Sequence, residues 1–282
     1  MSLKPRIAAV LDSLGITRLL FKLSLGLYGQ HIRVINYHDT PQEDMGNFEE
    51  QLKFYARHYS PVSAGDLRNF CQGSWTANRP GLIISFDDGY RNNFDCAATL
   101  LEKYKFRGWF FIPAGLVDAE TTAQYDFAGR HRNRFERTYK GDRILMSWDE
   151  IKSLAIHHEV GCHTMSHHRM VASDTEQVLA VEIEQSKKLL EEKLKQPVQS
   201  YCWVGGEEQT YTAPAAKKVK AAGYAFSFMT NNYPFTKAQS PLQIQRTNIE
   251  SNNPLSLVRF QLSGLMDLVY YGKRKRVNLI TK

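Results

Sequence analysis

From about residue 31 to residue 250 the chain repeats one rhythm: a short apolar run, then a longer stretch whose apolar residues recur every three or four positions. Seven runs read as strands, at 33–37, 82–86, 108–112, 159–162, 198–203, 224–228 and 242–246. Between them, stretches such as FEEQLKFYARHY and DTEQVLAVEIEQSKKLLEEKL carry a helical period. This alternation predicts an α/β fold with a parallel sheet covered by helices. Seven units close better as a distorted (β/α)7-type barrel than as an open sheet, although the pattern also accommodates a doubly wound one. In both arrangements the reactive groups belong at the carboxyl ends of the strands. Residues 1–30 read as an N-terminal helical extension with a break near Gly15, residues 31–250 as the barrel, and residues 251–282 as a C-terminal basic helical tail.

Thirty-six Lys and Arg against 29 Asp and Glu give a formal charge of +7, a weak preference for anionic partners. No nucleic-acid-binding motif accompanies it, so nucleic acid is not an expected partner. Cys71, Cys96, Cys162 and Cys202 lack paired spacing and read as reduced core thiols. Arg18 and Lys22 interrupt the run LLFKLSLGL, and no stretch approaches the roughly 18 to 20 apolar residues of a membrane span. The expectation is a soluble cytoplasmic protein. The cluster Lys273, Arg274, Lys275 and Arg276, beside the N-terminal segment, suggests peripheral contact with the inner face of an anionic membrane. The competing reading is a helix packed on the barrel with a solvated basic end. Residues 118–143, with Arg130, Arg132, Arg134, Arg137, Lys140 and Arg143, read as an inserted loop, either a solvated excursion or a flap suited to a phosphate-bearing substrate.

The run LIISFDDGYRNNF sets Asp87 and Asp88 directly after an apolar strand. Alone it is equally a turn or a helix cap. About 75 residues later, EVGCHTMSHH ends the next strand of this kind with His163 and His167 four positions apart. Two imidazoles and the Asp88 carboxylate make a three-ligand set that leaves positions for water and substrate, as catalytic zinc sites do. Asp87 is then free to take a proton from the metal-bound water, because neighbouring residues on an extended chain point to opposite sides.

FDDG followed by His-[Ser/Thr]-x-x-His resembles the polysaccharide deacetylase family with its NodB-homology domain. The resemblance runs through most of residues 31–250 and includes MSWDEI and RTNI. It implies a distorted barrel that hydrolyses the N-acyl amide of an amino sugar or glycan. It also implies a divalent metal, first of all Zn2+, with Ni2+, Co2+, Fe2+ or Mn2+ as substitutes, held by Asp88, His163 and His167, and Asp87 as base. RVINYHDT is similar to the branch containing poly-N-acetylglucosamine deacetylases, which implies His38 as the general acid; Asp39, next in the chain, could orient it. The family's aromatic-Pro-aromatic-Gly turn corresponds here to YCWVGGEE, with Val204 and Gly205 in place of Pro and the second aromatic. The Gly205 backbone N–H could still serve the oxyanion. Arg246, at a strand end, could hold Asp87 ionised. Tyr90 and Trp203 are the candidate sugar contacts. Absence of an export signal points to an intracellular precursor of a surface polysaccharide or lipopolysaccharide. Two other readings stand beside this one: a catalytically silent glycan-binding module of the same fold, and a metal hydrolase of a small non-sugar amide.

Overall fold

The computed structural model describes residues 3–130 and 139–282. The strands are β1 (Ile32–Tyr37), β2 (Ser60–Pro61), β3 (Gly81–Phe86), β4 (Gly108–Ile112), β5 (Glu159–Cys162), β6 (Ser200–Cys202), β7 (Phe226–Met229), β8 (Ile244–Gln245) and β9 (Thr247–Asn248). They form one parallel sheet in the order β8-β7-β6-β5-β4-β3-β1-β9, with β2 added beside β3. Its two ends, β8 against β7 and β9 against β1, belong to a single run of chain, so the sheet returns on itself as a nearly closed barrel. The run expected as one strand at 242–246 is thus split at Arg246, whose N–H donates to Met229 O and whose carbonyl accepts from Asn232 N.

The two-residue period of the strands sorts their side chains onto two faces. Ile32, Val34, Ile83, Trp109, Phe111, Phe228 and Ile244 pack with one another as the barrel interior. Ile35, Tyr37, Leu82, Ile84 and Phe110 pack outward against helix residues such as Phe48, Leu52, Ile151 and Leu190. Gly161 in β5 is required by this interior: a Cβ there would lie 2.6 Å from the Phe111 ring.

The terminal segments belong to the same body. Helices α1 (Leu3–Ser13) and α2 (Ile16–Leu27) break at Gly15, where φ is +74°. Asp12 receives the Arg259 guanidinium at 2.7 Å from α11 (Leu255–Leu262), numbering the helices in chain order with α3 (Met45–His58), α4 (Ala64–Cys71), α5 (Ala98–Lys103), α6 (Thr121–Arg130), α7 (Trp148–His157), α8 (Glu176–Leu179), α9 (Ser186–Leu194) and α10 (Ala213–Ala221) between. Asp267 of α12 (Leu265–Val269) is fully buried and accepts from both Arg33 amines at 2.8 and 2.6 Å, from Tyr28 Oη at 2.8 Å and from Asn232 at 2.7 Å.

Two expectations change. Residues 118–143 are not a loop throughout, because α6 occupies Thr121–Arg130 and buries Phe127 and Ala128 with Tyr90, Tyr139 and Leu145. Arg132, Arg134 and Arg137 lie outside the described residues. The basic cluster on α13 (Tyr271–Ile280) is solvated only in part. Lys273 donates to Gly206 O, Arg274 is buried and donates to Asn231 O, Asn232 O and Asp267 O, and Arg276 pairs with Glu208 at 2.7 Å. Lys275 and Arg276 are exposed, Arg276 in its surface pair with Glu208.

Removing one partner of a buried ion pair strands the other charge, at a cost of about 3–5 kcal/mol. Asp267→Ala, which leaves Arg33 buried and unpaired, is expected to lower the urea unfolding free energy by about that amount, whereas an exposed control such as Asp149→Ala should leave the midpoint nearly unchanged.

Candidate active site

At the end of β3 the ladder continues one residue further, Asp87 N donating to Tyr37 O at 3.0 Å, which aims Asp87 into the barrel beside Ser85. Asp88 and Gly89 then turn the chain sharply, both with positive φ, +71° and +70°. Asp tolerates this left-handed region better than most residues, at a cost of order 1 kcal/mol or more. His167 also sits there, at φ +59°. Two of the three expected metal ligands are therefore held in backbone conformations that the surroundings must enforce.

Arg246 reaches across from the closing segment and grips Asp87 with both amines, NH1 to Oδ1 at 2.6 Å and NH2 to Oδ2 at 2.8 Å. Both side chains are almost wholly buried. Burial alone would raise the Asp87 pKa, but the guanidinium and the nearby His163 hold it below the usual carboxylate range.

His163 extends β5, its N–H bonded to Ile112 O. Its Nδ1–H donates to Cys202 O at 3.0 Å, which turns Nε2, the nitrogen available to a cation, toward Asp88 Oδ1, 3.5 Å away. His167 Nε2 lies 2.9 Å from the same oxygen, and its ring takes Phe127 edge-on at 5.1 Å. Asp88 Oδ1 is buried and makes no well-aligned hydrogen bond, although two imidazole nitrogens approach it. One oxygen and two nitrogens, all within 4.8 Å of one another, converge as the ligands of a divalent cation do, and these residues fit one. A competing set, Asp87, His163 and Cys202, is equally close. It is a poorer ligand set: both Asp87 oxygens are taken by Arg246, and burial keeps the Cys202 thiol protonated by raising its pKa.

The histidine loop is fastened by a residue that the sequence reading passed over. Glu182, buried in the π-turn Ala180–Gln185, accepts from Met165 N and Ser166 N at 2.9 Å and from Ser166 Oγ at 2.7 Å. Its position among Leu179, Ile183 and Ser186 on the inward face of an amphipathic helix was the available signal.

A cavity of about 760 Å³ opens over the carboxyl ends of the strands and is lined by Asp87, Asp88, His163 and His167, with His38 and Gly205 among its other walls. His38 follows β1 and keeps a third of its side chain exposed. Its Nδ1 lies 3.1 Å from Glu250 Oε1, so Glu250, and not the adjacent Asp39, is its acidic partner. Burial would lower the His38 pKa, but Glu250, aided by Asp88 and Asp87, outweighs that and leaves it pushed up to about 10. Gly205 has φ +82°, and a Cβ there would meet Glu207 Oε2 at 3.0 Å, so the turn demands glycine although the aromatic side chain of the resembled motif is gone.

Tyr90 and Trp203 do not reach the cavity. Trp203 is 1% exposed and its indole N–H is bonded to Ser227 Oγ, while Tyr90 is buried against Phe127. Both are core aromatics, and the expected sugar contacts are corrected accordingly. With Asp87 paired to Arg246, the walls carry both signs, Asp39, Glu207, Glu208 and Glu250 against His38, Arg169 and Lys273.

Residues 76–245 match the family described as Polysaccharide deacetylase. That span contains both carboxylates and both histidines, while His38, Arg246 and Glu250 lie outside it. No curated protein sequence matches the chain. Among solved structures, a deacetylase from Streptococcus pyogenes, PplD, in complex with acetate is similar over 82% of this chain and 98% of its own, with TM-score 0.65 and 17% identity. IcaB from Ammonifex degensii is similar over 83% and 96%, with TM-score 0.65 and 19% identity. A de-N-acetylase from Aggregatibacter actinomycetemcomitans covers 82% and 100%, with TM-score 0.64 and 15% identity. At these identities the likeness is one of fold.

Altering an outer-shell partner of a metal ligand typically weakens binding by about 10- to 100-fold, and removing a ligand should cost more. Titration calorimetry with Zn2+ is expected to show one site, weakened beyond that range in Asp88→Ala; Glu182→Gln should fall within it.

Proposed function

Because the chain belongs to the polysaccharide deacetylase family, hydrolases that act on sugar amides, we propose that its cavity carries out metal-dependent deacylation of an N-acylated amino sugar or glycan, with Asp87 as base and His38 as acid. The observation that carries this reading is the convergence, in one cavity, of the Asp88, His163 and His167 donor set, the Arg246-held Asp87 carboxylate and the His38–Glu250 pair.

A divalent cation held by Asp88, His163 and His167, with Zn2+ first in preference, would supply Lewis acidity to the amide carbonyl and to the attacking water. Asp87 accepts the proton of that water. Arg246, by occupying both of its oxygens, keeps it ionised and fixed in direction. As the water oxygen bonds to the carbonyl carbon, charge develops on the carbonyl oxygen, and the Gly205 backbone N–H is the donor that we assign to it. His38 passes its proton to the sugar nitrogen as the C–N bond breaks, leaving a carboxylate and an amine. Glu250 holds His38 charged and in place for that transfer.

The substrate we assign is a glycan precursor of a surface polysaccharide, with acetyl or formyl as the acyl group. The complete donor set disfavours a silent glycan-binding module, and activity confined to small non-sugar amides would replace the sugar assignment.

The purified, metal-loaded protein is expected to release acetate or formate from oligomeric N-acylated glucosamine. Asp87→Asn should retain metal and lose turnover by at least about 100-fold, in keeping with the loss of a general base. No release from any N-acyl sugar by the metal-loaded protein would overturn the reading.

The pH profile tests the acid. A donor whose pKa is raised acts while protonated, so kcat/KM should persist toward alkaline pH and decline as pH rises through the His38 pKa, which Glu250 raises. Glu250→Gln removes that carboxylate charge, and the alkaline limb should move to lower pH. An unmoved limb would assign the acid to another group.

A further inference from the structure

The two N-terminal helices carry apolar side chains on the face turned away from the barrel. On α2, Leu19, Leu23 and Leu27 recur at helical spacing and are 59%, 60% and 70% exposed. On α1, Ile7 and Val10, with Leu14 just past its end, do the same and are also exposed. The inward face of α2 is already occupied: Phe21 packs on Phe54 with ring centroids 5.0 Å apart, and Ser24 donates to Leu262 O at 3.0 Å. The exposed leucines are therefore a second apolar stripe and not the overflow of the first.

The charges beside this stripe are of one sign. Lys4, Arg6, Arg18 and Lys22 are exposed, and the only acidic residue between positions 3 and 30 is Asp12, which is buried, gripped by Arg259 and 3.8 Å from Arg18. The stripe also has a neighbour of similar character. Helix α12 is pinned to the end of α2 through the Tyr28–Asp267 hydrogen bond, and its Leu268 and Val269 are exposed immediately before Tyr270, a wall of the catalytic cavity.

We infer that α1 and α2 form a docking face for an anionic lipid bilayer, lying in the interface with their leucines at the acyl boundary and Lys4, Arg6, Arg18 and Lys22 among the headgroups. Exposed apolar side chains flanked only by cations match that environment on both counts. No helix among the described residues is long and apolar enough to cross a membrane, so the contact is peripheral. A second copy of this chain is a poorer occupant, because self-association through the same face sets the four cations against their like. This surface, and not the basic cluster on α13, is the membrane-facing element, since Lys273 and Arg274 are drawn onto the barrel and Arg276 is paired with Glu208.

The test is sedimentation of the full chain with vesicles, read without any sugar substrate, so that its outcome is separate from that of the catalytic assignment. The protein is expected to bind vesicles of equimolar phosphatidylglycerol and phosphatidylcholine, to ignore phosphatidylcholine alone, and to release as salt rises. Each basic residue near an anionic surface contributes roughly fivefold to partitioning, so Arg18→Gln with Lys22→Gln should reduce binding by about 25-fold. Leu19→Gln with Leu23→Gln should reduce it by more than about tenfold, with the melting temperature and the metal content unchanged. Equal binding by the variants, or none by the parent chain, overturns the proposal. A dimer in gel filtration that the leucine variant dissolves, without vesicle binding by the parent, would assign the face to a second copy instead.

Discussion

The Asp87–Arg246 pair couples the closing of the barrel to the orientation of its reactive carboxylate. Asp87 stands at the end of β3 and Arg246 in the segment whose two halves pair with β7 and β1. A buried charge is tolerated only with a partner, so the strand end and the closing segment cannot part without exposing one charge and stranding another. The guanidinium lies over the Phe111 ring, at 5.6 Å, on top of the apolar interior formed by Trp109, Phe111 and Phe228. Below that level the barrel is packed with apolar side chains; at and above it are the groups that can do chemistry.

That division explains the tolerance of strain at Asp88 and His167. Left-handed backbone at a non-glycine residue persists where surrounding structure over-determines it. Here β3 and β5 deliver the two segments from fixed directions, Cys202 O holds the His163 ring, and Glu182 ties down the loop between the histidines. The ligand atoms converge because the scaffold leaves them no other arrangement, which is the condition for a preorganised metal site. Gly161 contributes from beneath by giving Phe111 room under the strand that ends in His163.

Much of this was legible in the chain before folding. The apolar runs at 108–112 and 159–162 coincide with β4 and β5, because polar residues or turns bound them tightly and no alternative register competes. The adjacent carboxylates and the paired histidines were visible because their spacing relative to strand ends is a local property. The helix Thr121–Arg130 was missed because its polar sequence has little helical period of its own; Tyr90, Tyr139 and Leu145, from distant segments, supply its packing surface. The two residues of β2 were too few to show a period.

By itself, then, the sequence determined the alternation of elements, the strand ends that carry function and the residue types of the metal set, all of which depend on neighbours within a few positions. Only the tertiary structure decided which acid faces His38, that Trp203 and Tyr90 turn into the core, that residues 244–248 divide between two partners, and that Lys273 and Arg274 are drawn back onto the barrel. Glu250 is 212 positions from His38, and no periodicity spans such a distance. Pairings of that kind are set by closing the barrel, which brings the ends of all its strands to one rim at once.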